Sequence, residues 1–222
     1  MTTQLVVTES IELTRTRAPA LPVAPGEYSR LYHDQLNNIL RFYFNTLDNF
    51  VGQLNTSAGG SGAGLFLPYG SFVDLTDQTI ANVAVAYAVT FNTTELSSGV
   101  SLSNSSHINV TYEGVYNLQY SLQFKNTDND GHDVDVWLKK NNNNINNTNS
   151  RFFLPARKSS GEPSHLIAAL NIFVDMAAND YIEVMWNANT TAVSLEHYAA
   201  PSNPDRPAIP SAIVTLSFVS AV

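Results

Sequence analysis

Between Gly114 and Phe124 a large apolar side chain occupies every second position: Tyr116, Leu118, Tyr120, Leu122 and Phe124. Asn117, Gln119, Ser121 and Gln123 fill the gaps. Successive side chains of a strand point to opposite faces, so this stretch predicts a strand with one dry and one wet face, the five large residues forming core. The same period recurs. Val134, Val136 and Leu138 alternate with Asp135, Trp137 and Lys139; Leu170, Ile172, Val174 and Met176 share one parity; Val214, Leu216 and Phe218 share another. The pattern predicts strands near 80–91, 100–111, 114–125, 133–139, 165–175, 180–187, 191–198 and 211–220, with a weaker one near 151–155. In Tyr181–Trp186 both parities are largely apolar, which predicts cover on two sides, by the opposite sheet and by a neighbouring subunit. Many strands with turn-rich connections and no helical pattern among them predict an all-β, antiparallel sandwich or closed barrel over residues 65–222.

The period changes upstream. Leu36, Leu40, Tyr43, Leu47, Phe50 and Leu54 are spaced 4, 3, 4, 3, 4, the a/d spacing of a short coiled coil, and predict an amphipathic oligomerisation helix over 28–54. Ile39, Phe42, Phe44 and Val51 widen the stripe. A lone helix of this length is weakly stable in water, so its apolar side needs a partner. A Gly/Ser-rich linker over 55–64 separates it from the strands. Residues 1–27 read as an extended N-terminal arm, because Pro19, Pro22 and Pro25 prevent a regular helix or inner strand. Leu5, Val6, Val7, Ile11, Leu13, Leu21 and Val23 give the arm apolar anchors for docking.

Composition narrows the partners. Of 222 residues only 14% are charged, so Asn, Thr and Ser make up much of the surface, and the net charge of -8 is concentrated in the strand region. Nucleic-acid binding depends on clustered Lys and Arg, which an acidic body lacks. There is no cysteine, so neither disulfides nor thiolate metal ligands hold the fold. No apolar run approaches the ~20 residues needed to cross a bilayer, and no charged-then-apolar leader opens the sequence, so membrane insertion is not expected. The sequons at Asn92, Asn109 and Asn189 accordingly read as products of an Asn/Thr-rich surface.

Candidate chemistry is sparse. His33, His107, His132, His165 and His197 show no metal-ligand spacing, and no Gly-x-Ser-x-Gly elbow is present. Glu113, Asp175 and Glu183 are strand carboxylates that could lie adjacent as a glycosidase-like set, but nothing in their surroundings distinguishes them from solvated strand residues. No catalytic residue, cofactor or metal site is assigned, and the chain is not expected to be an enzyme. Asp128-Asn129-Asp130-Gly131-His132-Asp133 places oxygens on alternate residues around a turn, a partial calcium-loop pattern without the following Glu. Asn141–Asn149 holds seven Asn in nine positions. Asn tolerates left-handed turns, so this run predicts an exposed hairpin tip, with a sugar-contacting surface as the alternative.

The strand region resembles the C1q/tumour-necrosis-factor-like jelly-roll modules of phage and other viral structural proteins. The resemblance rests on Pro68-Tyr69-Gly70-Ser71-Phe72, Ala88-Val89-Thr90-Phe91-Asn92, Ile108–Leu118 with its Gly114-Val115-Tyr116, Val136–Asn141, Ala178–Glu183 and Pro210–Thr215. Glu12–Pro19 and the helix after it are similar to the leading segment of virion proteins from marine podophages, including those of cyanobacteria. The resemblance implies a jelly roll that forms a homotrimer through aromatic and aliphatic faces, located in the virion. The expected function is a trimeric virion structural protein. Arm and helix would attach it to other virion proteins, and the jelly roll would form an exposed knob or cement. The alternative is a host-surface glycan-binding adhesin or tail-associated receptor-binding protein, using loops such as 126–133 or 141–149. No Gly-X-Y repeat is present, so a collagen-like stalk is not expected.

Overall fold

The computed structural model describes residues 19–56 and 67–221, with side chains described over 19–51 and 67–221. The chain divides into two units, Met1–Phe66 and Leu67–Val222. Arm residues 1–18 and linker residues 57–64 lie outside the described residues, as does the Leu54 side chain.

In the first unit, helix α1 spans Arg30–Thr56, two residues later at each end than the apolar spacing predicts. Ser29 sets the start. Its Oγ accepts from the Tyr32 amide at 3.3 Å and its carbonyl from the His33 amide at 3.2 Å, which satisfies donors the first turn leaves free. Leu36, Leu40, Tyr43, Leu47 and Phe50 are half-buried, and no residue of 30–51 is buried. Leu31, Phe42 and Phe44 are largely exposed.

The second unit is an all-β sandwich of two antiparallel sheets. Its strands are β1 (Tyr69–Asp74), β2 (Gln78–Thr79), β3 (Tyr87–Ala88), β4 (Thr93–Ser98), β5 (Val100–Ser103), β6 (His107–Val110) and β7 (Gly114–Asn126). They continue as β8 (His132–Lys140), β9 (Asn143–Asn144), β10 (Ser150–Leu154), β11 (Ser164–Met176), β12 (Tyr181–Ala188), β13 (Val193–Leu195) and β14 (Ala212–Ser220). Sheet one runs β2–β13–β7–β14–β1–β4, with β11 on the opposite edge of β7. Because β13 pairs with 124–126 and β14 with 115–122, the two lie end to end along one side of β7. Sheet two runs β10–β8–β12–β6–β5, with β3 beside β12 and β9 beside β8.

The core forms where the even-numbered side of β7 meets β8 and β12. Tyr116, Leu118, Tyr120, Leu122 and Phe124 are each at most 3% exposed, together with Val134, Val136, Leu138, Ile182, Val184 and Trp186. Burying each large side chain contributes about 1.5–3 kcal/mol. The Phe124 and Trp186 rings, one from each sheet, sit 5.5 Å apart. At the head of β7, Gly114 has φ +153°, and a Cβ there would come within 2.4 Å of the Phe218 ring, so a side chain is excluded twice over.

Several boundaries differ from the expectations. The 80–91 segment is not one strand, because β2 pairs in sheet one while β3 pairs in sheet two, so the chain crosses between sheets at Ile80–Ala86. The 100–111 segment folds back on itself as β5 and β6, with Asn104 and Ser105 at φ 48° and 61°. Strands β1 and β4 were not expected from period two. Gly70 and Ser71 interrupt the pattern in β1, and β4 (Thr-Thr-Glu-Leu-Ser-Ser) is a polar edge strand without a buried residue. In β12, Glu183 and Met185 are buried within the single chain, so the second face of this strand needs no neighbouring subunit to cover it.

Two core tyrosines differ in one atom's surroundings. The Tyr116 hydroxyl donates to the Tyr112 carbonyl at 2.8 Å, whereas the Tyr120 hydroxyl is buried without a hydrogen-bond partner among the described residues. Burial pushes both up to about 12, helped at Tyr116 by neighbouring Tyr112. Their folded pKa values are raised, so the stability they contribute is complete below about pH 10 and is lost as pH rises through 12. Tyr116→Phe is expected to cost about 1 kcal/mol in urea unfolding, and Tyr120→Phe to gain roughly 1 kcal/mol by removing an unpaired buried hydroxyl.

Candidate functional site

The hairpin that follows β8 accounts for most of its asparagines. Asn141, Asn142 and Asn147 have φ of 49°, 66° and 65°, left-handed conformations that Asn adopts more readily than other side-chain-bearing residues. The Asn141 amide donates to Asp180 Oδ1 at 2.7 Å, and its oxygen accepts from the Tyr181 amide at 3.1 Å, tying the hairpin to the turn before β12. Asn143 Nδ2 donates to the Asn141 carbonyl, and Thr148 Oγ1 accepts from the Leu138 amide at 3.1 Å. Asn144 Oδ1 accepts from Trp137 Nε1 at 2.9 Å and fixes the half-buried indole on the outward side of β8.

Beside this indole lies an open hollow of about 480 Å³. One wall is the Asn-rich hairpin. The other is the crossover 83–86, held from below by Asn187, whose Nδ2 donates to the carbonyls of Val83 at 2.9 Å and Val85 at 2.7 Å. The Tyr87 hydroxyl accepts from the Ala81 and Asn82 amides and fixes the other end of the crossover. Arg151 makes a bidentate pair with Asp135, both bonds 2.9 Å, which neutralises the one carboxylate among the described residues that line the hollow. The volume falls within the range of small-molecule sites. Period two marked Trp137 only as a wet-face strand residue, and it marked the crossover as a strand. The available signal was an aromatic on the polar parity, four residues before the Asn run.

A second feature is the outward face of sheet one. Among the described residues strand β11 pairs only with β7, through Ser164↔Asn126 to Met176↔Gly114. Small side chains at Ala169 and Ser121, opposite Ile213, floor a hollow of about 520 Å³, with Asn171, Gln119 and Thr215 in the next row. On the same parity of β11, Ile167 and Phe173 flank it, 59% and 63% exposed. Asn117, Gln119 and Gln123, the wet side of β7, lie on this face.

The other candidates do not converge on chemistry. In the 128–133 turn, Asp128 Oδ2 contacts His132 Nε2 at 2.9 Å, and Asn129 Oδ1 accepts from Arg157 Nε at 3.0 Å. The His132 hydrogen bond, then the Asn129 amide, hold Asp128 below the usual carboxylate range. Among the described residues no three His, Asp or Glu side chains gather as a metal site. Glu183 lies on the side of sheet two away from the core and Asp175 on the outward face of sheet one, so the two carboxylates do not come together. Ser106 Oγ donates to Glu183 Oε1 at 2.8 Å, and His107 Nε2 lies 3.5 Å from that same oxygen. The carboxylate therefore stands between hydroxyl and imidazole, and His107, stacked on Tyr181 at 3.9 Å, is not placed to take the Ser106 proton. No described helix is long and apolar enough to cross a membrane.

No protein-family model matches the chain, and no curated protein gives a significant match.

The clamp beneath the hairpin carries a pH dependence. Burial works to raise the Asp180 pKa, but hydrogen bonds from Asn141 and the Ala177 amide, with the Lys140 ammonium at 3.6 Å, outweigh it and hold the group below its ordinary value. A depressed folded pKa contributes stability above the unfolded value of about 4 and loses it as pH falls through the folded pKa. Asp180→Asn should be less stable than the parent by about 1 kcal/mol at pH 7. Denaturant unfolding at pH 7 and pH 3 should show that gap narrowing in acid.

Proposed function

We propose that the chain is a structural module of a virus particle that assembles as a homotrimer. The arm and α1 attach it to other virion proteins, and the sandwich, read as a C1q/tumour-necrosis-factor-like jelly roll, forms an exposed knob or cement. The observation that carries this reading is the outward face of sheet one. It is a dished, largely uncharged surface on a 13-residue edge strand, flanked by Ile167 and Phe173, both more than half exposed. Long open edges with exposed apolar side chains invite pairing with another chain. A second copy of this chain is the occupant proposed, because the face is largely uncharged and meets another acidic copy without like-charge repulsion; a ring closes when it packs on a different patch of that copy. The α1 stripe supports the same reading, since Leu36, Leu40, Tyr43, Leu47 and Phe50 are only half-buried and match the seam of a helical bundle.

The glycan-binding adhesin is the second reading, favoured by the hollow beside Trp137. Both readings use the same sandwich and differ in what its outer loops touch.

Sedimentation equilibrium is expected to give three chains of 24.3 kDa, and a stable monomer at micromolar concentration would overturn the assembly. The double substitution Ile167→Asp/Phe173→Asp should dissociate the sandwich contacts while leaving the far-UV circular dichroism of the folded chain unchanged, because both side chains face outward. Removing residues 1–27 should abolish incorporation into particles with the sandwich still folded. Normal incorporation would refute attachment through the arm.

A further inference from the structure

Of the asparagines in the Asn141–Asn149 run, three hold left-handed backbone, Asn141 and Asn143 bond within the hairpin, and Asn144 orients Trp137. Two are left over. Asn146 and Asn149 have ordinary backbone, are exposed, and make no side-chain hydrogen bond among the described residues. Both line the hollow beside Trp137. Residues with no folding task, lining one hollow with a fixed aromatic ring, are what a ligand site requires and a hairpin does not.

We infer that this hollow binds a neutral saccharide, with the apolar face of one pyranose ring on the Trp137 indole and its hydroxyls bonded to the Asn146 and Asn149 amides. Each amide offers two donors and an acceptor, and so matches hydroxyls that both donate and accept. The indole supplies a flat apolar platform, and its Nε1 is already satisfied by Asn144, so stacking strands no polar atom. Charge selects the class. Asp135 is paired with Arg151, no Lys or His among the described residues lines the hollow, and the chain carries a net charge of -8, which disfavours sulfated, sialylated or phosphorylated ligands. Both walls are braced in advance, the crossover by Asn187 and Tyr87 and the hairpin by Asp180, so little ordering is required on binding. The site deepens the adhesin reading but is complete within one chain, so it stands whether or not the trimer forms.

The full chain should be applied to a glycan array carrying neutral, sialylated and sulfated oligosaccharides, and the best neutral glycan then titrated in solution. The protein contains two tryptophans, and Trp186 is 1% exposed in the core, so a change in tryptophan emission on titration reports Trp137. The expected result is binding to neutral glycans, a saturable emission change, and a loss of about tenfold or more in affinity for Asn146→Ala/Asn149→Ala. That variant should unfold at the parent temperature, since neither amide bonds to another of the described residues. Trp137→Phe should bind more weakly than the parent, as the smaller ring keeps only part of the platform. The same titration on Ile167→Asp/Phe173→Asp should give unchanged affinity, separating this site from assembly. The inference is overturned by no neutral glycan bound, by binding to anionic glycans alone, by an unmoved emission spectrum, or by full affinity in the double asparagine variant.

Discussion

Strand β7 is the constraint on which the sandwich depends. It is paired along its whole length by β11 and on its other edge by β14 and β13, so its register fixes three neighbours at once. Its even side fills the space between the sheets and its odd side floors the outward face. A one-residue slip would exchange the two sets and expel Tyr116 through Phe124 into water. Gly114 protects the register at one end, where the Phe218 ring leaves no room for a side chain. Asn126, fully buried, holds the other end by donating to the carbonyls of Asp130 and Pro155.

Strands whose burial is one-sided were legible in the sequence. For β7, β8, β11 and β14 the alternation located the strand to within a residue or two, because one dry face imposes period two. The misreadings have separate physical causes. Ile80, Val89 and Phe91 are all buried, yet they belong to a chain moving between sheets, so alternation there reports burial without continuous pairing. Strand β4 is polar because it sits at an edge, where nothing demands a dry side. Strand β1 reaches the core through Phe72 and Val73 on consecutive residues, beside the register shift at Ser71/Phe72, and no simple period describes it.

The hollow beside Trp137 was half legible. An Asn-rich tip is visible in the sequence, and the sugar alternative follows from amide chemistry. Which asparagines serve the backbone and which are free depends on φ angles and on partners as distant as Asp180 and Tyr181, which local composition does not encode. The opposite wall lies some fifty residues upstream, reached only once Asn187 has drawn the crossover onto sheet two.

That crossover has a mechanical meaning for a chain without cysteine. From β2 in sheet one it passes to β3 in sheet two, where the Val89 amide donates to the Val184 carbonyl, and by Asn92 it is back in sheet one on the Val73 carbonyl. The Gln78 side chain closes the excursion by exchanging two hydrogen bonds with the Thr90 backbone. The segment is thus a lacing stitch through both sheets, with Ile80, Val89 and Phe91 as its buried knots. Neither sheet can peel away alone without drawing this thread out of the other, which couples their opening into one cooperative event.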